Sequence, residues 1–561
     1  MIQDFITEEI KPQMNADRHR FFLSHKTKAI LKKIRFLSVL IGVHLWLILL
    51  FSCNSKPTDL RSLAPAETLV YLETNNLGGM LETLTENKTF QAAAKKTPDF
   101  SAVKNVQFAV AVTGFEASEK KVTDENSVLN FTPHFVAIAD THAWNWQAIS
   151  LTENQITDFV KTTYGEETKL EISDKADGKW FVWTADDRKV FAFVAESRIF
   201  FGNDAAVIEK CIAVKKGEVE SLAKNENLSR AYLGNTQNNL AFGYVSPEGV
   251  AQISNLAGVS VASGASEEAE QQSFIARVLP QILRNTTREI IWTANKTDAG
   301  IEDKLSISLN AETASVFKET LVANAEMNTN SAEFLPTEIF SVTRYNPKNP
   351  QLAWRSLILT TAKNTDAASG NFLVQFSRQF LESYGITDAE TFLGAVDSDI
   401  LTARFDSEGE KSVVVATVKD AEKLKLAIAE INFKTQPENQ SNAQIWRTQD
   451  KLIAAAFVEN ILILGDSESV LKCLQARQNG QNFTKSKDFQ KFAQSRAIAA
   501  SFSKDADSTA TIVEVLSAPK DENKRFITEY STETRITEKG FERKTISDFG
   551  FVGEILEKFK E

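Results

Sequence analysis

The chain has 561 residues, 43% hydrophobic and 24% charged, a globular balance in a chain too long for one ordinary core and suited to about two to four domains. It is acidic: the net charge is −11, and beyond Arg35 there are 55 Lys and Arg against 70 Asp and Glu. A body with that balance lacks the basic surface that nucleic acid requires, and three cysteines are too few for a disulfide framework.

Residues 1–35 form a polar leader whose end is basic, with Lys26, Lys28, Lys32, Lys33 and Arg35. An apolar run, F-L-S-V-L-I-G-V-H-L-W-L-I-L-L-F, fills 36–51 and is followed by Ser52-Cys53. A basic flank, an apolar run and a small residue before a cut site describe a signal peptide. Leu50-Phe51-Ser52-Cys53 resembles the lipobox of bacterial lipoproteins, although Phe51 stands where that pattern has a small or aliphatic residue. The resemblance implies that Cys53 is the lipidated first residue of a mature protein. The alternative is that 36–53 stays as a membrane anchor, since its apolar length is near the minimum for a spanning helix. Either way, positive charge before the apolar run places the remainder outside the cytoplasm, facing the periplasm or cell exterior.

After a short polar tether, 54–62, a proline-led strand begins at Leu63-Ala64-Pro65-Ala66-Glu67-Thr68 and has a partner at Leu335-Pro336-Thr337-Glu338. Helical spacing follows each, over 78–93 and 352–359. Strands are expected over 106–112 and 135–139, with counterparts at 400–405 and 412–418, and helices over 153–163 and 421–431. Next comes a stretch that occurs twice without a gap, at 183–213 and 446–476. Trp183 falls on Trp446, Asp187 on Asp450, Gly202 on Gly465, Val207 on Val470 and Ala213 on Ala476. Each copy reads strand, turn, strand, glycine, capped helix, with Asn203 and Asp204 in one and Asp466 and Ser467 in the other as N-cap candidates. Cys211 aligns with Leu474 and is expected in an apolar slot, whereas Cys473 aligns with Lys210 and is expected nearer solvent. Both copies end alike, Thr297-Asp298-Ala299-Gly300 against Thr537-Glu538-Lys539-Gly540, a hairpin signal followed by an amphipathic helix.

The expected fold class is therefore α+β. It comprises two homologous domains, 63–325 and 334–561, each an antiparallel sheet with helices packed on it, joined by a linker at 326–333. The small-residue, acidic run 259–272 reads as a flexible loop inserted in the first copy. The Pro-Ala-acidic-Thr motif at 65–68 after an apolar segment, and the hairpin-glycine-helix order leading to Ser221-Leu222-Ala223-Lys224-Asn225, resemble an exported family of bacterial envelope proteins classed as a domain of unknown function. The resemblance implies export and membrane attachment. It supplies no reaction.

Chemistry is sparse. Only His134 and His142 lie in the exported body, without the spacing of a zinc site or of a nucleophilic triad. One segment is unusual, Asp140-Thr141-His142-Ala143-Trp144-Asn145-Trp146, where His142, Trp144 and Trp146 suit ligand contact or, more simply, a loop whose indoles plug the core edge. No catalytic residue, metal or cofactor is expected. The expected partners are the membrane, through a lipid or the N-terminal helix, and an envelope protein or small ligand. The reading is a non-enzymatic binding or scaffolding module using the groove between the repeats. The alternatives are an envelope enzyme or carbohydrate-binding protein at His142, Trp144 and Trp146, and a single-pass sensor.

Overall fold

The computed structural model describes residues 57–557 except 122–126, 176, 187, 234–238, 266–268, 325–328, 408, 429–430, 488, 506–507, 522–523 and 525. The leader, the apolar run, Cys53 and Asp187 lie outside the described residues. The fold is α+β, built on one large antiparallel sheet of 20 strands.

The first ten strands are β1 (Val70–Thr74), β2 (Gln107–Lys121), β3 (Ser127–Asp140), β4 (Lys169–Lys175), β5 (Gly178–Ala185), β6 (Arg188–Ala195), β7 (Arg198–Gly202), β8 (Asn239–Val245), β9 (Thr287–Thr297) and β10 (Gly300–Leu309). The next ten are β11 (Ser341–Tyr345), β12 (Ile400–Arg404), β13 (Ser412–Thr417), β14 (Glu438–Gln440), β15 (Ala443–Arg447), β16 (Ile453–Val458), β17 (Ile461–Asp466), β18 (Ala499–Asp505), β19 (Thr528–Thr537) and β20 (Gly540–Ser547). Pairing runs 4-5-6-7-3-2-1-8-9-10 through the first half. The second half runs 14-15-16-17-13-12-11-18-19-20, the same order.

Where two separate sheets were expected, β10 and β20 pair along eight residues and fuse the halves into one. The register places Lys304 opposite Lys544, with Leu305 opposite Arg543 and Asp303 opposite Thr545. Counted from the hairpin glycines Gly300 and Gly540, Lys304 and Lys544 are the same position, so a local two-fold axis passes between them. Two like charges opposite one another repel. Each instead meets the other half's glutamate, Lys304 with Glu542 at 2.8 Å and Lys544 with Glu302 at 2.6 Å, and these two ion pairs are mates under the same axis. Both glycines have positive φ, 126° and 143°. A Cβ at Gly300 would stand 2.4 Å from the Ser547 carbonyl oxygen, and one at Gly540 2.3 Å from that of Ile307. The hairpin turn and the seam therefore make the same demand on these two residues.

Within each half the repeated stretch behaves as its pattern predicts. Gly202 ends β7 and Gly465 lies one residue before the end of β17. The helices Ala205–Lys216 and Ser467–Asn479 follow, capped by the carboxylates of Asp204 and Asp466. Phe200, Val207, Ile208 and Cys211 share one core, and Ile463, Val470, Cys473 and Leu474 share its counterpart. Ile199 and Phe201, like Leu462 and Leu464, face the opposite side of the sheet, as the period of two requires.

The helices also cross between halves. Leu81, Leu84 and Phe90, on Leu77–Glu86 and Lys88–Ala93, pack with Ile512, Val513, Val552 and Leu556 of the second half's Ser508–Leu516 and Gly550–Glu557. Reciprocally, Phe317 and Leu321, on and just after Ala311–Thr320, pack with Ala353 of the second half's Pro350–Lys363.

Four expectations are corrected. Of the run 259–272, residues 259–265 and 269–272 belong to two helices, Pro247–Ala265 and Ala269–Thr286, rather than to a loop; just before the run, a Cβ on Gly258 would lie 2.6 Å from the Pro280 ring, so this glycine permits a close helix crossing. Cys473 is completely buried, because the helix leans that side onto the sheet. From Pro57 on, the expected tether is part of the body: Leu60 is buried, and Thr58 hydrogen-bonds to Gln107 and Asp140. The helical stretch at 78–93 is two helices, broken at Asn87, whose side chain caps the second.

Replacing Gly540 by Val sets a branched side chain against the Ile307 carbonyl at a positive φ. It should cost about 2 kcal/mol or more. Urea unfolding followed by circular dichroism checks this, and an unchanged midpoint would show that the seam does not depend on close approach there.

Candidate functional site

The helix Pro350–Lys363 starts cleanly, with the Asn349 side chain accepting from the Leu352 amide and Pro350 at its first position. Asp366 caps the next helix, Ala367–Phe376, in the same way through Ser369. Gly370 lets the two lie close, since a Cβ there would stand 2.7 Å from the Ala362 carbonyl oxygen. Beneath them Tyr345 of β11, Ile400 and Thr402 of β12 and Val414 of β13 present the sheet face. Between helices and sheet is an open-mouthed cavity of 190 Å³, lined also by Phe392 and Leu393, and by Ile282 and Leu321 from the first half.

Its lining residues include no Asp, Glu, His, Cys, Lys or Arg. Thr361, Thr402, Tyr345, Tyr384 and Trp354 carry all of the side-chain polar atoms. Engineered apolar cavities of about 150 Å³ in other proteins take up benzene. A charged group inside would be unpaired, so the space suits a neutral apolar ligand or the tail of an amphiphile. An aromatic series leads in from the surface. Phe274 of the first half lies tilted 4.3 Å from Phe372, Phe372 stacks 5.6 Å from Phe376, Phe376 lies 5.3 Å from Phe380, and Phe380 6.0 Å from Trp354 on the wall. Phe372 is 44% exposed. Comparison with protein-family models, with curated proteins and with solved structures gave no match. The assignment therefore rests on the geometry alone.

The sequence had shown one wall of this cavity, Trp354, Leu357 and Ile358, as a helical apolar face, but not the space behind it. The overlooked signal is Phe372, Phe376 and Phe380, aromatic at every fourth residue and so on one side of a helix that continues into a turn. A second hollow, of 420 Å³, lies over β18–β20 and is polar; its Arg535 is paired with Glu533 and its Lys544 with Glu302.

His142, Trp144 and Trp146 are grouped as expected but line neither hollow. Asp140, at the end of β3, is buried and accepts from the Thr58 hydroxyl at 2.8 Å, the Ser197 hydroxyl at 2.7 Å and the His142 amide at 3.1 Å. Burial pushes its carboxyl up, but the donors from Ser197, His142 and Thr58 together outweigh that and hold it below the usual range. The His142 ring stands with Nδ1 3.6 Å from Asp140, too far for a hydrogen bond. Ser197 donates to the aspartate and not to the imidazole, so the order of a nucleophilic triad is absent from this group. The tryptophans do not plug the core: Trp144 is 60% and Trp146 67% exposed, at the start of the helix Asn145–Leu151. His134 sits on β3 with Nδ1 3.0 Å from Asp204.

Buried charge elsewhere is structural. The fourth residue of β1 is Glu73, which accepts from Tyr71 at 2.5 Å; its carboxyl is pushed up by burial and held back by Tyr232, Tyr71 and Arg61. The fourth residue of β11 is Arg344, which donates to Asp399 at 2.5 Å and to the Ser495 carbonyl at 2.8 Å. The same place in the two halves thus holds opposite charges, Arg344 paired with Asp399 and Glu73 held by tyrosine hydroxyls near Arg61. Among the described residues no group of three His, Cys, Asp or Glu is placed to hold a metal ion. Burial pushes the Cys211 thiol up to about 12 and raises that of Cys473 as well, so neither is a nucleophile at neutral pH.

Asp303 on β10 joins the halves differently. It accepts from Trp292 Nε1 at 2.8 Å and from the Phe551 amide at 2.8 Å, capping the second half's last helix. Burial pushes its carboxyl up from 3.8 to about 6, against both donors. The native state therefore binds this proton more tightly than the unfolded chain. The stability it contributes is complete below pH 3.8 and is lost as pH rises through about 6, a span of about 3 kcal/mol. Chemical denaturation at a series of pH values should show wild type losing that amount relative to Asp303→Asn; parallel profiles would contradict the assignment.

Proposed function

We propose that the chain is a non-enzymatic binding module, formed by duplication of one α+β unit into domains 63–325 and 334–561, tethered at the cell envelope through Cys53 or the apolar run before it. It carries an apolar ligand in the cavity under Pro350–Lys363. The single observation that carries the binding reading is that cavity: 190 Å³, almost wholly apolar and without an Asp, Glu, His, Cys, Lys or Arg in its lining. The matching strand orders and the ungapped match of 183–213 with 446–476 support the duplication. The basic flank, the 36–51 apolar run and the lipobox-like 50–53 support the tether. Among the described residues no helix is long and apolar enough to cross a membrane.

Ala353 lines the cavity and is buried, so Ala353→Phe fills the space from within. The neutral dye N-phenyl-1-naphthylamine should brighten with wild type and be displaced by 1-octanol. The variant should bind it at least about tenfold more weakly, a loss of about 1.4 kcal/mol, while melting no lower. Equal binding by both proteins would overturn the cavity as the site. For the tether, radiolabelled palmitate should enter wild type and not Cys53→Ser, whereas an intact peptide across 52–54 in the mature protein would assign the uncleaved anchor instead.

A further inference from the structure

Trp144 and Trp146 are among the most exposed large hydrophobic side chains of the described residues, and they stand two residues apart. Nothing in the body accounts for them. The helix they open, Asn145–Leu151, turns Ala148 into the core with Phe159, Phe181 and Trp183, so the indoles occupy the side left to solvent. Exposing two indoles to water forgoes the burial that these side chains usually supply. An indole is also the side chain most at home between water and lipid, with an apolar body and one N–H that needs a polar neighbour.

The position of the pair in the chain is as informative as its exposure. Thr58 is clamped where β2 begins and β3 ends. Its amide donates to Gln107 Oε1 at 2.8 Å, its carbonyl accepts from Gln107 Nε2 at 2.8 Å, and its hydroxyl donates to Asp140 at 2.8 Å. Gln107 and Asp140 are partners in the β2–β3 register, so this is a built junction rather than a loose approach. Asp140 is also the residue from which the His142–Trp146 segment departs, and its other oxygen accepts from the His142 amide. His142 takes a positive φ of 51°, which turns the chain back at this point. The place where the N-terminal segment joins the body and the place where the indoles project therefore share one side chain.

Chain length then limits how far this corner can be from a membrane that holds the N-terminal segment. From Cys53 to Thr58 is five residues, at most about 18 Å fully extended, and from Phe51 it is seven residues, at most about 25 Å. Trp144 is four residues beyond Asp140, at most about 14 Å along the chain. Either mode of attachment, lipid or helix, keeps this corner within reach of the headgroup layer. The net charge of −15 beyond Arg35 repels an anionic surface, so the body does not lie flat, and an uncharged contact at one corner is what that charge leaves available.

We infer that Trp144 and Trp146 insert into the headgroup layer of the membrane to which the chain is tethered, fixing the orientation of the body relative to the bilayer. The inference rests on the tether proposed above. It assigns the pair to a zwitterionic lipid surface rather than to a sugar. The two indoles add a second, reversible contact to the attachment, and a second contact on a short tether acts at high effective concentration. Individually weak insertion is then sufficient.

The test uses the full chain with Trp46→Phe throughout, because Trp46 lies in the apolar run and would report on its own insertion. The protein is reconstituted into phosphatidylcholine vesicles whose acyl chains carry bromine close to the headgroup. Flotation first separates vesicle-bound from free protein. The floated protein should show tryptophan quenching, and Trp144→Ser/Trp146→Ser should float equally while losing most of that quenching. Equal quenching in both floated proteins overturns the insertion and leaves the tether standing. A chain that fails to float overturns the tether and the insertion with it. A fluorescence change of the pair on adding soluble chitooligosaccharides, without bromolipid quenching, assigns the indoles to sugar stacking and also overturns the proposal.

Discussion

The β10–β20 ladder is the constraint on which the rest of the structure depends. It is the step at which ten strands of one half meet ten of the other, and its geometry is self-complementary: lysine faces lysine at the axis, and each lysine is neutralised by a glutamate from across the seam. Neither ion pair is buried, and exposed pairs of this kind contribute little stability. Their effect is on register. A slip of one residue would turn one strand's side chains to the wrong face relative to the other's and would break the reciprocal pairing of each lysine with the glutamate across the seam. The glycines at both hairpins permit the close approach, and the exchanged helices then lock it, because each half's first helices are covered by helices of the other.

This exchange accounts for the apolar cavity and its location. In the first half, Leu77–Glu86 and Lys88–Ala93 are closed over by two helices of the second half that bring Ile512, Val513, Val552 and Leu556. The corresponding cover for Pro350–Lys363 comes from Leu321 and Ile282, and behind it the space is left open. The first half's cover is built differently, because a long pair of helices, Pro247–Ala265 and Ala269–Thr286, stands where the second half has the single Ser508–Leu516. The difference between the halves thus leaves a vacancy on one side of an otherwise repeated plan.

Much of the fold was legible because its signals are local. The hairpins announced themselves through Gly300 and Gly540, and the capped helices through Asp204 and Asp466. The inward residues of β7 and β17 followed from their alternation. The fusion of the sheets was not legible, since the free side of β10 carries no mark that distinguishes a strand about to pair from an edge strand. The run 259–272 reads as a loop because alanine, serine and glycine are shared by flexible segments and by helices, and the close crossing that marks the helices is made by Gly258 against Pro280, just outside the run. Cys473 misled because a charged counterpart in the other copy was taken to fix its exposure. Of the candidate site, His142, Trp144 and Trp146 were singled out by composition, but their exposure is a tertiary property. The cavity is a gap between elements, which no single stretch of sequence encodes.

The seam also sets an order of events. β10 ends at Leu309 and its partner β20 begins at Gly540, so more than two hundred residues must be made before the first half's open strand finds its mate. During that interval β10 presents unpaired backbone groups along its length, and Leu81, Leu84 and Phe90 lack the helices that will cover them. Open edges and uncovered apolar faces are what draw growing chains into association with one another. A contact between such distant parts of a chain is also slow to form. The first half is therefore an aggregation hazard for as long as the second is incomplete, and the time spent in that state, more than the depth of the final energy well, sets how much protein reaches its folded form.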